Sequence, residues 1–173
     1  MTEDQTKASE RAARLLSRAL TLLDEAEVAI ADMAQDLVEE VRRDCEAQTS
    51  AVLRTRKITD PNGDHWETMW NPVVLRPFAN KRRLVLHWYV SYPKKKSSPT
   101  DRGCGTRYIR KSRGPGYHLK LLRSEFAAYP HLQDVVSDSE VRARAIRDLS
   151  SRLPKARRIL DEMLSLEAFD SAP

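Results

Sequence analysis

The chain opens on apolar positions spaced three and four apart, and a third of the way along it changes to apolar positions spaced two apart. Leu15, Ala19, Leu22, Ala26, Ala29, Met33, Leu37 and Val41 follow the spacing that lines one face of an α-helix. Leu16, Leu23, Ile30 and Val38 widen the stripe, and neither Gly nor Pro interrupts it. One helix is predicted from about Gln5 to Ala47. At 1.5 Å per residue it would span about 60 Å, longer than a small domain is wide, so part of it projects or finds a partner. The stripe is broader than a strict coiled-coil seam, which favours packing within the domain over a homodimer through this helix.

From Ala51 the period becomes two and β-branched and aromatic residues increase, the signature of strands. In the run Val52 to Ile58, Val52, Arg54, Arg56 and Ile58 would share one side of a strand and Leu53, Thr55 and Lys57 the other. Asp60-Pro61-Asn62-Gly63-Asp64 is a hairpin-turn signal, because Asn-Gly accepts positive φ angles. A second arm would run from His65 to about Trp70. The clearest strand is 83–92. Leu84, Leu86, Trp88, Val90 and Tyr92 alternate onto a core face, while Arg83, Val85, His87, Tyr89 and Ser91 form a face that can meet a ligand. Residues 93–106, with three consecutive lysines, two Pro and two Gly, read as a mobile loop. Arg107 to Lys111 reads as a short strand, and Gly114-Pro115-Gly116 as a turn into Tyr117 to Leu122, whose state the pattern leaves open.

Helical spacing returns after Ser124. Ser137-Asp138-Ser139-Glu140 matches a capping box. Val141, Ala145, Ile146, Leu149 and Leu153 then form a stripe that Pro154 ends, with a second helix carrying Ile159, Leu160, Met163 and Leu164. The expectation is an α+β fold: a long N-terminal helix, a three- to four-stranded antiparallel sheet, and C-terminal helices packed on the sheet. It would form a single domain over 1–173, made of the helix (1–50), a basic β-meander (51–123) and the C-terminal helices (124–173).

Charge adds what periodicity does not show. The net +5 is unevenly placed. Residues 1–50 carry six Lys/Arg against twelve Asp/Glu, residues 51–123 seventeen against four, and residues 124–173 seven against nine. A surplus of +13 in the middle block has no folding rationale, because like charges in one small sheet repel; it points to a polyanionic partner. Arg54, Arg56, Lys57, Lys81, Arg82, Arg83, Lys94, Lys95, Lys96, Arg107, Arg110, Lys111 and Arg113 are the expected phosphate contacts, with Arg76, Lys120 and Arg123 in the same block. Cations replace counterions on phosphates and rings stack on exposed bases, so Tyr89 and Tyr108 are expected near a base or sugar. Trp66, Trp70 and Trp88 are expected to fill the core. The glycines after Tyr108-Ile109-Arg110-Lys111 would let a backbone approach a phosphate closely. The expected partner is nucleic acid, with double-stranded DNA taken ahead of RNA.

Catalytic chemistry finds less support. Asp60, Asp64, His65 and Glu67 crowd one predicted hairpin, but a divalent ion normally takes a fuller oxygen set, and Asp is what such a turn recruits anyway. His87, His118 and His131 stand outside any HExxH or GxSxG pattern. Neither an enzyme nor a cofactor is expected. A metal-dependent nuclease built on Asp60, Asp64 and Glu67 is one alternative, and an adaptor acting through its long helix is another. A helix-turn-helix bearing Lys155, Arg157 and Arg158 is disfavoured by net acidic helices. Cys45 and Cys104 have no CxxC or Cys/His neighbour and are expected to be reduced thiols. With no signal-peptide pattern and no apolar span of membrane length, the expected location is the cytoplasm, away from membrane.

The order of WNPVVLRPF, RLVLHWYVSY and RYIRKSRGPGY behind a long apolar-striped helix resembles MobI-type conjugative transfer proteins of integrative elements and plasmids. The resemblance implies an auxiliary factor at the origin of transfer, working beside a separate relaxase that cuts the strand.

Overall fold

A computed structural model of the chain describes residues 3–59, 72–80, 83–93, 104–111 and 114–170. It has the expected α+β architecture. A first helix, α1 (Glu3–Thr59), is followed by strands β1 (Val73–Asn80), β2 (Arg83–Pro93) and β3 (Cys104–Tyr108). A short helix α2 (Leu119–Glu125), a 3-10 turn (Pro130–Leu132) and a long helix α3 (Gln133–Asp170) complete the chain. The strands form one antiparallel sheet in the order β1-β2-β3.

α1 is longer than its stripe predicts. The run 52–58, read as a strand, continues the helix to Thr59, so Arg54, Arg56 and Lys57 are helical residues. Nothing between Glu3 and Thr59 breaks a helix, and the first proline of the chain, Pro61, disfavours helical geometry at the residue before it. Two turns of alternating residues do not outweigh a helix already propagating. The hairpin expected at 60–70, with Trp66 and Trp70, lies outside the described residues.

β1 carried no strand expectation, and Pro77 sits inside it. It is an edge strand, which is where the missing N–H of proline is tolerated, and Pro77 pairs with Leu86. β2 matches its alternation through Val90, but Ser91, expected on the ligand-meeting face, is buried, with its amide donating to the Pro72 carbonyl. β3 begins three residues earlier than expected, at Cys104, and ends at Tyr108; Ile109 leaves the strand and is buried.

The helices cover one sheet face. Leu37, Val41 and Cys45 of α1 and Val136, Ala143 and Ile146 of α3 enclose Val73, Leu75, Leu86 and Trp88, joined by Ile109, Tyr117, Leu122, Phe126 and Leu132. Trp88 is fully buried with its ring edge-to-face against Phe126, as expected of a core tryptophan. Beyond the sheet the two long helices run antiparallel: Arg142 pairs with Glu40, and Arg157 with Asp24 and Glu27.

Two expectations for α3 are corrected. The helix does not start at Ser137 or end at Pro154; it begins at Gln133 and passes through Pro154 to Asp170. Contacts with α1 on both sides of the proline, Arg142 with Glu40 and Arg157 with Asp24, help the helix continue against the roughly 3 kcal/mol penalty of an interior proline. Of the stripe read as core, Ile146 is buried and Leu153 packs against the core, but the other three residues point outward. Val141 is 64% exposed and Leu149 45% exposed, and Ala145 is exposed too. The buried face is Val136, Ser139, Glu140, Ala143, Ile146, Arg147 and Ser150, with four polar members that a search for apolar residues passes over.

Candidate nucleic-acid interface

Three of those polar residues, Glu140, Arg147 and Ser150, close the free edge of the sheet. β3 pairs with β2 only from Tyr89 onward, which leaves the first half of β2 with an open edge that needs partners. The Ser150 hydroxyl accepts from the Leu84 amide at 2.9 Å, Arg147 donates to the Leu86 carbonyl at 3.0 Å, and the Ile109 amide donates to the Trp88 carbonyl at 2.9 Å. Glu140, 2% exposed, accepts from the Trp88 indole and the Tyr117 amide, both at 2.7 Å, and pairs with Arg147. Arg147 also donates to the Pro115 carbonyl. Segment 114–117 is thereby tied against α3. Gly116 makes this approach possible, since a Cβ there would lie 2.9 Å from Arg144 and 3.1 Å from Glu140. At Gly114, φ of +111° makes the turn.

With its edge closed and one face covered, the sheet turns its other face outward. Period two places Val74, Arg76, Phe78, Val85, His87, Tyr89 and Tyr108 there. Phe78 is 53% exposed and Tyr108 39% exposed; His87 and Tyr89 are half-buried. The rings are contiguous. Phe78 lies 6.0 Å from His87, His87 sits 5.0 Å from Tyr108 in edge-to-face contact, and Tyr108 lies 5.7 Å from Tyr89. The Arg76 guanidinium lies 5.3 Å from the centre of the Tyr89 ring, a cation–π contact. None of the described residues on this face is Asp or Glu.

The electrostatics of the face are set from its edge. Burial holds the His87 imidazole below its ordinary value of 6.5, and the nearby positive charges of Lys111 and Arg147 lower it further, so it is neutral at pH 7. Its Nδ1 lies 3.3 Å from the Tyr117 hydroxyl. Burial raises that hydroxyl above its usual range, and a hydrogen bond with Tyr108 raises it further. Lys111 donates to the Gly114 carbonyl at 2.7 Å and borders a cleft of about 300 Å³ between Val85, Pro115 and Ser151.

The expected contact residues divide accordingly. Tyr89 and Tyr108 meet on the open face, with Lys111 at its edge, while Arg110 is exposed just past the end of β3. Arg107 alternates to the opposite side and pairs with Glu125 at 2.5 Å. Arg54 is exposed on α1. The side chains of Arg56, Lys57 and Arg83 lie outside the described residues, as do Lys81, Arg82, Lys94, Lys95, Lys96, Arg113 and the Asp60, Asp64, His65 and Glu67 group. Sequence reasoning left Arg76, Phe78 and His87 off the contact set; the signal that finds them is the register of β1 on β2, which sets Arg76 opposite His87 and Phe78 opposite Val85. No helix among the described residues is long and apolar enough to cross a membrane.

No curated protein and no solved structure matches the chain. The family model described as MobI protein matches residues 22–161, from the body of α1 through the sheet and past Pro154 in α3. On that match, which spans most of its length, the chain belongs to the MobI protein family and is a MobI-type conjugative transfer protein.

Proposed function

We propose that the chain is a DNA-binding auxiliary protein that assists processing at the origin of transfer without cutting DNA itself. It acts in the cytoplasm beside a separate relaxase. The observation that carries this reading is the open sheet face, where Tyr89, Tyr108, His87 and Phe78 form a continuous ring surface next to Arg76 and Lys111. That surface lies inside the block with the +13 surplus, and rings beside cations suit bases beside phosphates. The acidic helical hairpin of α1 and α3 carries Leu15, Leu22, Ile159, Met163 and Leu166 exposed. It is left for protein contacts, with the relaxase or another transfer protein.

A gel-shift series with origin-of-transfer DNA at several salt concentrations tests the reading. Affinity is expected to fall steeply with salt, and Arg76→Ala and Lys111→Ala should each flatten the log–log slope by about 0.7–0.9. Unchanged slopes remove this face from the phosphate contacts. Cleavage of the DNA with magnesium or manganese that disappears in Asp64→Ala overturns the non-catalytic role.

A further inference from the structure

We infer that the open sheet face holds an unpaired DNA strand, with bases resting on Tyr108 and Phe78 and the flanking phosphates on Arg76 and Lys111. This rests on the DNA-binding reading above and names the form of DNA the face takes. Charge alone leads to duplex DNA, since any phosphate backbone satisfies lysine and arginine. The rings make the difference.

Paired bases hide their faces in the stack and show proteins only their groove edges, so exposed rings on a duplex-binding face would have nothing to stack on. An unpaired strand offers a free π-face at every base. The rings of Tyr89, Tyr108, His87 and Phe78 form a path across all three strands, with centroids 5.0 to 6.0 Å apart. That spacing exceeds the roughly 3.4 Å rise between stacked bases, so bases seated on neighbouring rings are drawn apart from one another. The sheet holds the rings in place. His87 is pinned between Tyr108 and the Tyr117 hydroxyl, and Tyr89 between Tyr108 and Arg76, so little side-chain entropy remains to be lost on binding. An apolar protein segment would also cover Phe78 and Tyr108, but a face with cations and no acidic residue among those described is complementary to a polyanion.

Fluorescence anisotropy with the full chain tests this, using a labelled single strand, its duplex, an RNA strand of the same sequence, and a strand of equal phosphate number lacking bases. The DNA single strand is expected to bind at least about tenfold tighter than the duplex, and the base-free strand to lose that advantage. Tyr108→Ala and Phe78→Ala should each weaken single-strand binding by roughly five- to 100-fold, while Tyr108→Phe, which keeps the ring, binds like wild type. Both positions are exposed enough to truncate without opening the core, and two independent variants separate lost stacking from lost folding. Equal or tighter duplex binding, or single-strand binding indifferent to both alanine variants, overturns the inference and leaves DNA binding standing. Tighter binding of RNA overturns the assignment to DNA, and no binding to any probe at low salt overturns the underlying reading as well.

Discussion

Glu140 and Arg147 carry the most consequence for their size. Both side chains are 3% exposed, and between them they satisfy the Trp88 indole, the Tyr117 amide and the carbonyls of Leu86 and Pro115. Removing one member of a buried ion pair leaves the other charge uncompensated, at a cost of about 3–5 kcal/mol. Glu140→Ala is therefore expected to lower unfolding stability by that amount in urea titration, and a double variant with Arg147→Met to recover part of the loss. If the single variant loses less than about 1 kcal/mol, the pair does not organise the edge. His87 gives the residue scale its pH dependence. The unfolded chain protonates this imidazole near 6.5, whereas the folded chain does so only at lower pH. Between those values the unfolded state binds more protons, so stability rises with pH there. The contribution is complete above pH 6.5 and is lost as pH falls through the window. Chemical denaturation of wild type and His87→Gln from pH 5 to 8 should show the acid-side loss reduced in the variant; parallel curves count against it.

Among elements, α3 and β1 show where local rules yield to packing. Pro154 removes a backbone donor in mid-helix, yet α3 continues because Arg142 engages Glu40 before it and Arg157 engages Asp24 after it. Pro154→Ala restores the donor and is expected to stabilise the protein by about 1–3 kcal/mol without changing the fold, as read by thermal unfolding. Destabilisation would mean that α3 relies on a bend at Pro154 to follow α1. β1 was not expected as a strand, and the structure places it at an edge, where a proline such as Pro77 is tolerated. β2 was legible because its period of two is uninterrupted. α1 was legible through its stripe but not at its C-terminal end, where Val52 to Ile58 satisfies either period.

Across the whole molecule, Cys45 lies where the layers meet. It is fully buried in α1 among residues of the sheet and α3, and burial pushes its thiol up to about 12, with Asp44 and Glu46 adding to the shift. Reaction needs a thiolate reached by the reagent, so labelling requires α1 to separate from the sheet. In a Cys104→Ser background, labelling at pH 8 is expected to require global unfolding and to report the same free energy as urea titration. Faster labelling would reveal a lower-energy opening of α1.

Period and composition alone specify the order of helix, sheet and helix, the inward face of β2 with Trp88, and the concentration of positive charge between two acidic helical blocks. Both are local properties of the chain. Packing against the sheet selects which face of α3 is buried, because Glu140, Arg147 and Ser150 lie inward to meet the unpaired edge of β2, a need no helical periodicity expresses. Strand pairing in turn sets Arg76, Phe78, His87, Tyr89 and Tyr108 on one surface, because cross-strand register brings side chains from three strands together. The rings were legible one at a time; their continuity depends on pairing between strands.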